Sequence, residues 1–167
     1  FTLGFRAIHF GRYSRDAEDD RLSPLFLGNE RFIRGYNLRS FTAEECSDSP
    51  GEGCSEFNRL FGSRLAIANA ELRLPVLGLE ELALFRSRAF PSTLTAFFDG
   101  GLAWTDNRSP DLRWTTDETS DNIPVFSTGL SLRVNILGYL ITEFYYAIPF
   151  QRPDQGGYFG FQIAPGW

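Results

Sequence analysis

Apolar and polar residues alternate along six stretches of the chain, each longer than the roughly 5 to 6 residues usual for a strand in a soluble sheet. In STLTAFFDGGLAW (92–104) Leu94, Ala96, Phe98, Leu102 and Trp104 fall on one face, and Thr93, Thr95, Phe97, Asp99 and Gly101 on the other. VFSTGLSLRVNI (125–136) sets Phe126, Leu130, Leu132, Val134 and Ile136 against Ser127, Gly129, Ser131, Arg133 and Asn135. In YLITEFYYAIPF, Leu140, Phe144, Tyr146 and Ile148 oppose Glu143, Tyr145 and Ala147, with Ile141 on the polar side. SRLAIANAELRLPV separates Ala66, Ala68, Ala70, Leu72 and Leu74 from Asn69, Glu71 and Arg73. YFGFQIAPGW separates Phe159, Phe161 and Ile163 from Gly160, Gln162 and Ala164. FTLGFRAIHFGRY is less regular, with Phe1, Leu3, Phe5 and Ala7 opposing Thr2, Gly4 and Arg6.

A side-chain period of two means strands, so an all-β, antiparallel fold is expected. Alternation does not say whether the apolar face looks into a core or out into lipid, and a soluble β-sandwich would show it too. The connections lean towards the membrane. They run long at 14–61, medium at 76–91, long at 105–122, tight near Gly138 and brief at 151–156. Outer-membrane barrels have longer external loops and shorter periplasmic turns. The medium link VLGLEELALFRSRAFP breaks the alternation and is expected to hold a short helix or extended strand ends.

Composition narrows the classes. With 167 residues the chain can bury one core, and a net charge of -5 argues against nucleic acid, which needs a basic stripe. No apolar run approaches the roughly 18 residues of a membrane helix, although 17 Phe bring the aromatic content to 16%. All 16 basic residues are Arg. The chain holds no Met and opens without a signal-like segment, and is therefore read as a mature segment or a fragment. Asp16, Glu18, Asp19 and Asp20 form a solvated loop face. Cys46 and Cys54 flank SDSPGEG, a string that turns the chain back on itself. A loop-closing disulfide in an oxidising compartment is the expectation, against two free thiols or a zinc site that His9, the single histidine, could not complete. No nucleophile elbow, P-loop or metal-ligand spacing occurs, and Glu80 with Glu81 reads as a solvated turn. Neither an enzyme nor a cofactor is expected.

Four motifs are more specific. FIRGYN, with Arg34, Gly35 and Tyr36, resembles the signature of the long sixth extracellular loop in the BamA/TamA superfamily of outer-membrane assembly and translocation barrels, the bacterial surface antigen family. FFDGGLAW, with Asp99, Gly101 and Trp104, resembles that family's D-x-G strand motif, and Glu71 in NAELRLP matches an acidic residue of the preceding strand. The end of the chain, with Phe159, Phe161, Ile163 and Trp167, resembles the C-terminal signal by which outer-membrane barrels are recognised during assembly, and is most similar to the end of BamA.

The resemblance implies that residues 1–167 are the C-terminal part of a barrel domain, six strands of a sixteen-stranded fold, with the loop at 14–61 folded into the lumen. It implies that Arg34 meets Glu71 and Asp99 on the inner wall, with Gly101 beside them. An Arg suits that role because its planar fork of donors can engage two carboxylates at once. Trp104, Tyr139 and Trp167 become candidates for an interfacial aromatic girdle. The implied function is insertion or translocation of other outer-membrane proteins in the bacterial outer membrane, without covalent chemistry. The implied partners are outer-membrane lipid, client polypeptides, the remaining barrel strands from the same or another chain, and accessory lipoproteins. The alternative is a barrel that anchors a fused domain absent from this chain, such as a propeller or a lipase-like enzyme.

Overall fold

The computed structural model describes residues 1–41, 54–78, 83–86, 90–107, 109–113, 122–153 and 155–163. Six long strands, β1 (Thr2–Gly11), β4 (Arg64–Gly78), β6 (Ser92–Trp104), β7 (Val125–Ile136), β8 (Leu140–Pro149) and β9 (Tyr158–Ile163), form one antiparallel sheet in that spatial order. Three two-residue strands accompany them. β2 (Leu25–Phe26) pairs with β3 (Phe61–Gly62) inside the long connection, and β5 (Phe85–Arg86) lies parallel to the end of β4. β5 and the extension of β4 to Gly78 account for part of the medium link by extended strand, and Glu80 and Glu81 lie outside the described residues. The four-residue helix α1 (Ser55–Asn58) precedes β3. No helix among the described residues is long and apolar enough to cross a membrane.

Strands of 15, 13 and 12 residues in β4, β6 and β7 exceed the roughly 9 to 11 needed to span a bilayer at a tilt. Their burial is inverted relative to a water-soluble protein. Leu3, Phe5, Leu94, Leu130, Phe144 and Phe161 are exposed, while Asn69, Glu71, Thr95, Asp99, Ser131 and Glu143 on the opposite face are buried. In a sandwich the apolar face would meet a second sheet, and among the described residues none covers it. The apolar face is therefore the lipid face and the polar face the interior. Among the described residues β1 and β9 are the two edges, so the sheet is an open segment of a barrel wall.

The connections sort by end. Those after β1, β6 and β8 leave one end of the sheet, and those after β4 and β7 the other. The shortest is the turn at Leu137 and Gly138, with φ of 53° and 81°. Positive φ at both central residues of the Ile136–Tyr139 turn, closed by Tyr139 N donating to Ile136 O, matches the twist of the flanking strands, but a leucine in that region carries a steric cost of roughly 1 to 2 kcal/mol. The Leu137 side chain is exposed, so little packing offsets the cost. Leu137→Asn should raise stability by roughly 1 kcal/mol, because Asn tolerates a left-handed backbone. Reversible urea unfolding in lipid vesicles measures this, and an unchanged midpoint would mean that the turn stores no strain.

Candidate functional site, a buried charge cluster gripping the long loop

The long connection reaches the polar face by its own local structure. The β2–β3 pair and the bond from Leu27 N to Leu60 O at 2.8 Å hold its two legs together. Asn29 then starts a turn: its side-chain oxygen accepts from Arg31 N at 2.9 Å, and its carbonyl from Phe32 N and Ile33 N. That turn sends Ile33 to Tyr36 against the sheet. Leu27, Ile33, Tyr36 and Leu60 from the loop form a core with Leu65, Ile67, Ala103 and Val125 from the strands. Leu65 and Ile67 share the parity of Asn69 and Glu71, so the polar face turns apolar where the loop covers it.

Arg34 is the centre of the site and is 4% exposed. Its Nε and Nη2 donate to Asp99 Oδ2 and Oδ1 at 2.8 and 2.9 Å, a two-pronged pairing, and its backbone N donates to Oδ2 at 3.2 Å. Nη2 also lies 2.9 Å from Glu71 Oε1, and Nη1 donates to Glu143 Oε1 at 3.0 Å. The guanidinium sits over the Phe97 ring, 3.6 Å from its centroid. One cation thus meets carboxylates from β4, β6 and β8. Three buried anions would repel one another, and further cations and amides separate them. Arg133 reaches Glu71 at 3.1 Å and Glu143 at 3.3 Å, and Arg73 reaches Glu71 at 2.8 Å. Asn69, opposite Asp99 in the β4–β6 register, donates to Asp99 Oδ1 at 2.8 Å, and its own oxygen accepts from Arg6 at 2.9 Å. Gln162 on β9 donates to Glu143 Oε2 at 3.0 Å.

Two glycines make room. Gly35 has φ of +88°, and a Cβ there would stand 3.1 Å from the Cβ of Ala147. At Gly101 a Cβ would come within 2.3 Å of Ile33 Cδ1 and 2.9 Å of Leu27 Cδ1. Asp99 and Gly101 are neighbours on one strand face: the first takes the charge of Arg34 and the second leaves space for Ile33.

A second set of contacts grips the loop from the β8–β9 connection. Tyr36 is fully buried, and its hydroxyl accepts from Gln151 N at 3.0 Å and donates towards Phe126 O at 3.2 Å. Gln151 Oε1 accepts from Phe126 N at 2.7 Å. Arg152, 1% exposed, donates through Nη1 to Gly35 O at 2.6 Å and Ser40 Oγ at 2.7 Å, and through Nη2 to Ser40 O at 2.8 Å.

Arg34, Glu71, Asp99 and Gly101 therefore come together within one cluster. Phe159, Phe161 and Ile163 lie exposed on the lipid face of β9, and Trp167 lies outside the described residues. Trp104 is half-buried and stacks on His9 at 5.7 Å, while Tyr139 stands fully out from the turn after β7. Cys54 is disulfide-bonded, and Cys46 lies outside the described residues. The acidic loop face is more than solvated. Glu18 accepts from Ser63 Oγ at 2.6 Å and Asp106 N at 2.8 Å, and the Ser63 bond first, then the Asp106 bond, hold its carboxyl below the usual glutamate range. No group of three or more metal-ligating side chains occurs among the described residues.

Sequence reasoning missed Glu143, Arg133, Gln151, Arg152 and Gln162. Glu143, Arg133 and Gln162 share the parity of the polar face, which was a usable signal. Gln151 and Arg152 sit in an irregular turn and carry none.

No match to the chain was found among curated proteins or solved structures. A family model described as the Omp85 superfamily domain matches residues 21–166. Its members are non-enzymatic β-barrel proteins of the outer membranes of Gram-negative bacteria or organelles, and they insert or translocate polypeptides. With a six-stranded open wall, an inverted burial pattern and a family match over most of its length, the chain belongs to the Omp85 superfamily.

Proposed function

We propose that the chain is the C-terminal wall of a BamA-like barrel in a Gram-negative outer membrane, assisting the insertion or translocation of client outer-membrane proteins. The observation that carries this reading is Arg34, bound at once to Glu71, Asp99 and Glu143 on the polar face. In this reading the polar face is the lumen wall, the loop at 14–61 is an extracellular loop folded into the lumen, and Arg34, Gly35 and Tyr36 are its anchor. Among the described residues β1 and β9 are edge strands whose outer main-chain groups no strand pairs, and lipid cannot satisfy such groups. They are completed by further barrel strands of the same or another chain, and β9 offers a client strand a ladder to join. Phe159, Phe161, Ile163 and Trp167 serve as the assembly signal. Accessory lipoproteins are among the partners this reading allows.

The test is reconstitution of the intact protein into vesicles with an unfolded client barrel. Client insertion should exceed that in empty vesicles and fall by about tenfold in Arg34→Ala, while Arg31→Ala leaves it unchanged. An intact, folded protein that accelerates no client would favour the anchor role, more so if a propeller or lipase-like domain is fused to it.

Cys46 and Cys54 are proposed as the disulfide pair of the long loop, in keeping with an oxidising compartment. Peptide mass spectrometry of protein purified without reductant should find the two joined. Alkylation of both thiols in that sample would refute the pair.

A further inference from the structure

Among the described residues β9 pairs with β8 from Tyr158–Ala147 to Ile163–Thr142, whereas β8 pairs with β7 along its whole length from Leu140 to Pro149. No other strand flanks β9 among the described residues. The loop adds a direct tie at the start of the strand and an indirect one, through Glu143, at its end. Near its start, Asn37 Nδ2 donates to Tyr158 Oη at 3.2 Å. In the connection leading into it, the buried Arg152 grips Gly35 and Ser40 and lies 4.0 Å from the Phe41 ring centroid. Near its end, Gln162 donates to Glu143, whose other oxygen receives Arg34. A single segment of loop, residues 34–41, therefore touches the edge strand, its leading connection and the carboxylate between them.

We propose that this segment is a latch on β9, with Arg152 and Asn37 as its positioning residues, so that β9 stays aligned on β8 until the latch lets go and only then can its free edge move towards an incoming strand. This rests on the reading of β9 as the strand a client joins. The chemistry of Arg152 suits a latch. Its donors engage two main-chain carbonyls of the loop, so the grip depends on the loop's backbone conformation and is lost as a unit when that backbone moves. Gly35, which supplies one of those carbonyls, is the left-handed residue beside Arg34, so a shift at the charge cluster is transmitted directly to the Arg152 grip.

Hydrogen exchange of the intact protein in lipid bilayers tests the latch without involving any client. Arg152→Gln should speed exchange at Tyr158–Ile163 by about tenfold while leaving the β4–β6 ladder unchanged, and Arg152→Lys, which keeps a charged donor, should restore part of the protection. Tyr158→Phe removes one hydroxyl and no packing, and should speed the same amides by a smaller factor; it decides the matter if Arg152→Gln does not fold. Unchanged β9 exchange in the folded variants, with faster exchange confined to loop residues 29–41, would overturn the latch. Faster β9 exchange with no gain in client insertion would uphold the latch and tell against the insertion reading.

Discussion

Arg34→Ala should release the long loop while leaving the strands paired, at a cost of roughly 3 to 5 kcal/mol, the range for removing one partner from a buried ion pair. The cost comes less from the lost bonds than from what stays behind. Glu71, Asp99 and Glu143 would remain buried, with Arg133, Arg73, Asn69 and Gln162 left to separate them. The contact with the Phe97 ring adds a smaller loss of about 1 to 2 kcal/mol. Exposed Arg31 and Arg39 are internal controls, and their alanine variants should stay within about 0.5 kcal/mol of the parent. Limited proteolysis reports the loop, and urea unfolding in vesicles reports the total. Double-mutant cycles of Arg34 with Asp99 and with Glu143 should each show coupling above about 0.5 kcal/mol. Additive effects in both cycles would mean that the cluster does not hold the loop.

Gly101→Val should be nearly as damaging, by about 3 kcal/mol, through overpacking instead of charge. The new side chain would enter the space filled by Ile33 Cδ1 and Leu27 Cδ1, and both belong to a core with little freedom to yield. Ile33→Ala alone leaves a cavity and should also destabilise, by roughly 2 to 4 kcal/mol. The two together should be less harmful than their sum, because each fills or frees the same volume. Strict additivity would show that Ile33 does not rest on Gly101. A loop that docked elsewhere would tolerate valine at this position.

Strand parity was legible in the sequence because an alternating stripe has only two faces. Asn69, Glu71 and Arg73 on one strand and Thr95, Phe97 and Asp99 on another could be assigned to the same side without any structure. Register between strands was not legible, since nothing local says that Asn69 stands opposite Asp99 or that Arg133 stands opposite Glu143. Glu143 was therefore visible as a polar-face residue but not as a partner of Arg34. Leu65 and Ile67 broke the stripe in a readable way: apolar residues on a polar face signal that something covers them. The RGYN segment could be matched by resemblance, but its grip by Gln151 and Arg152 depends on the path of an irregular turn, for which periodicity has no code. Two-residue ladders such as β2–β3 are too short to leave a pattern.

The span of chain between Arg34 and its partners also sets an order in time. Asp99 lies 65 residues away from Arg34 and Glu143 lies 109 away. Contacts of such separation carry a loop-closure entropy that only the assembled strands between them can offset. Arg34 meets its partners only when β4, β6 and β8 stand in register, so the loop stays undocked until the sheet is nearly complete. We therefore expect loss of Arg34 to speed unfolding and leave the rate of strand assembly almost unaltered, the signature of an interaction that forms after the transition state. Loop docking then acts as a closing step of folding, and a wall with a misregistered β8 would present no site for it.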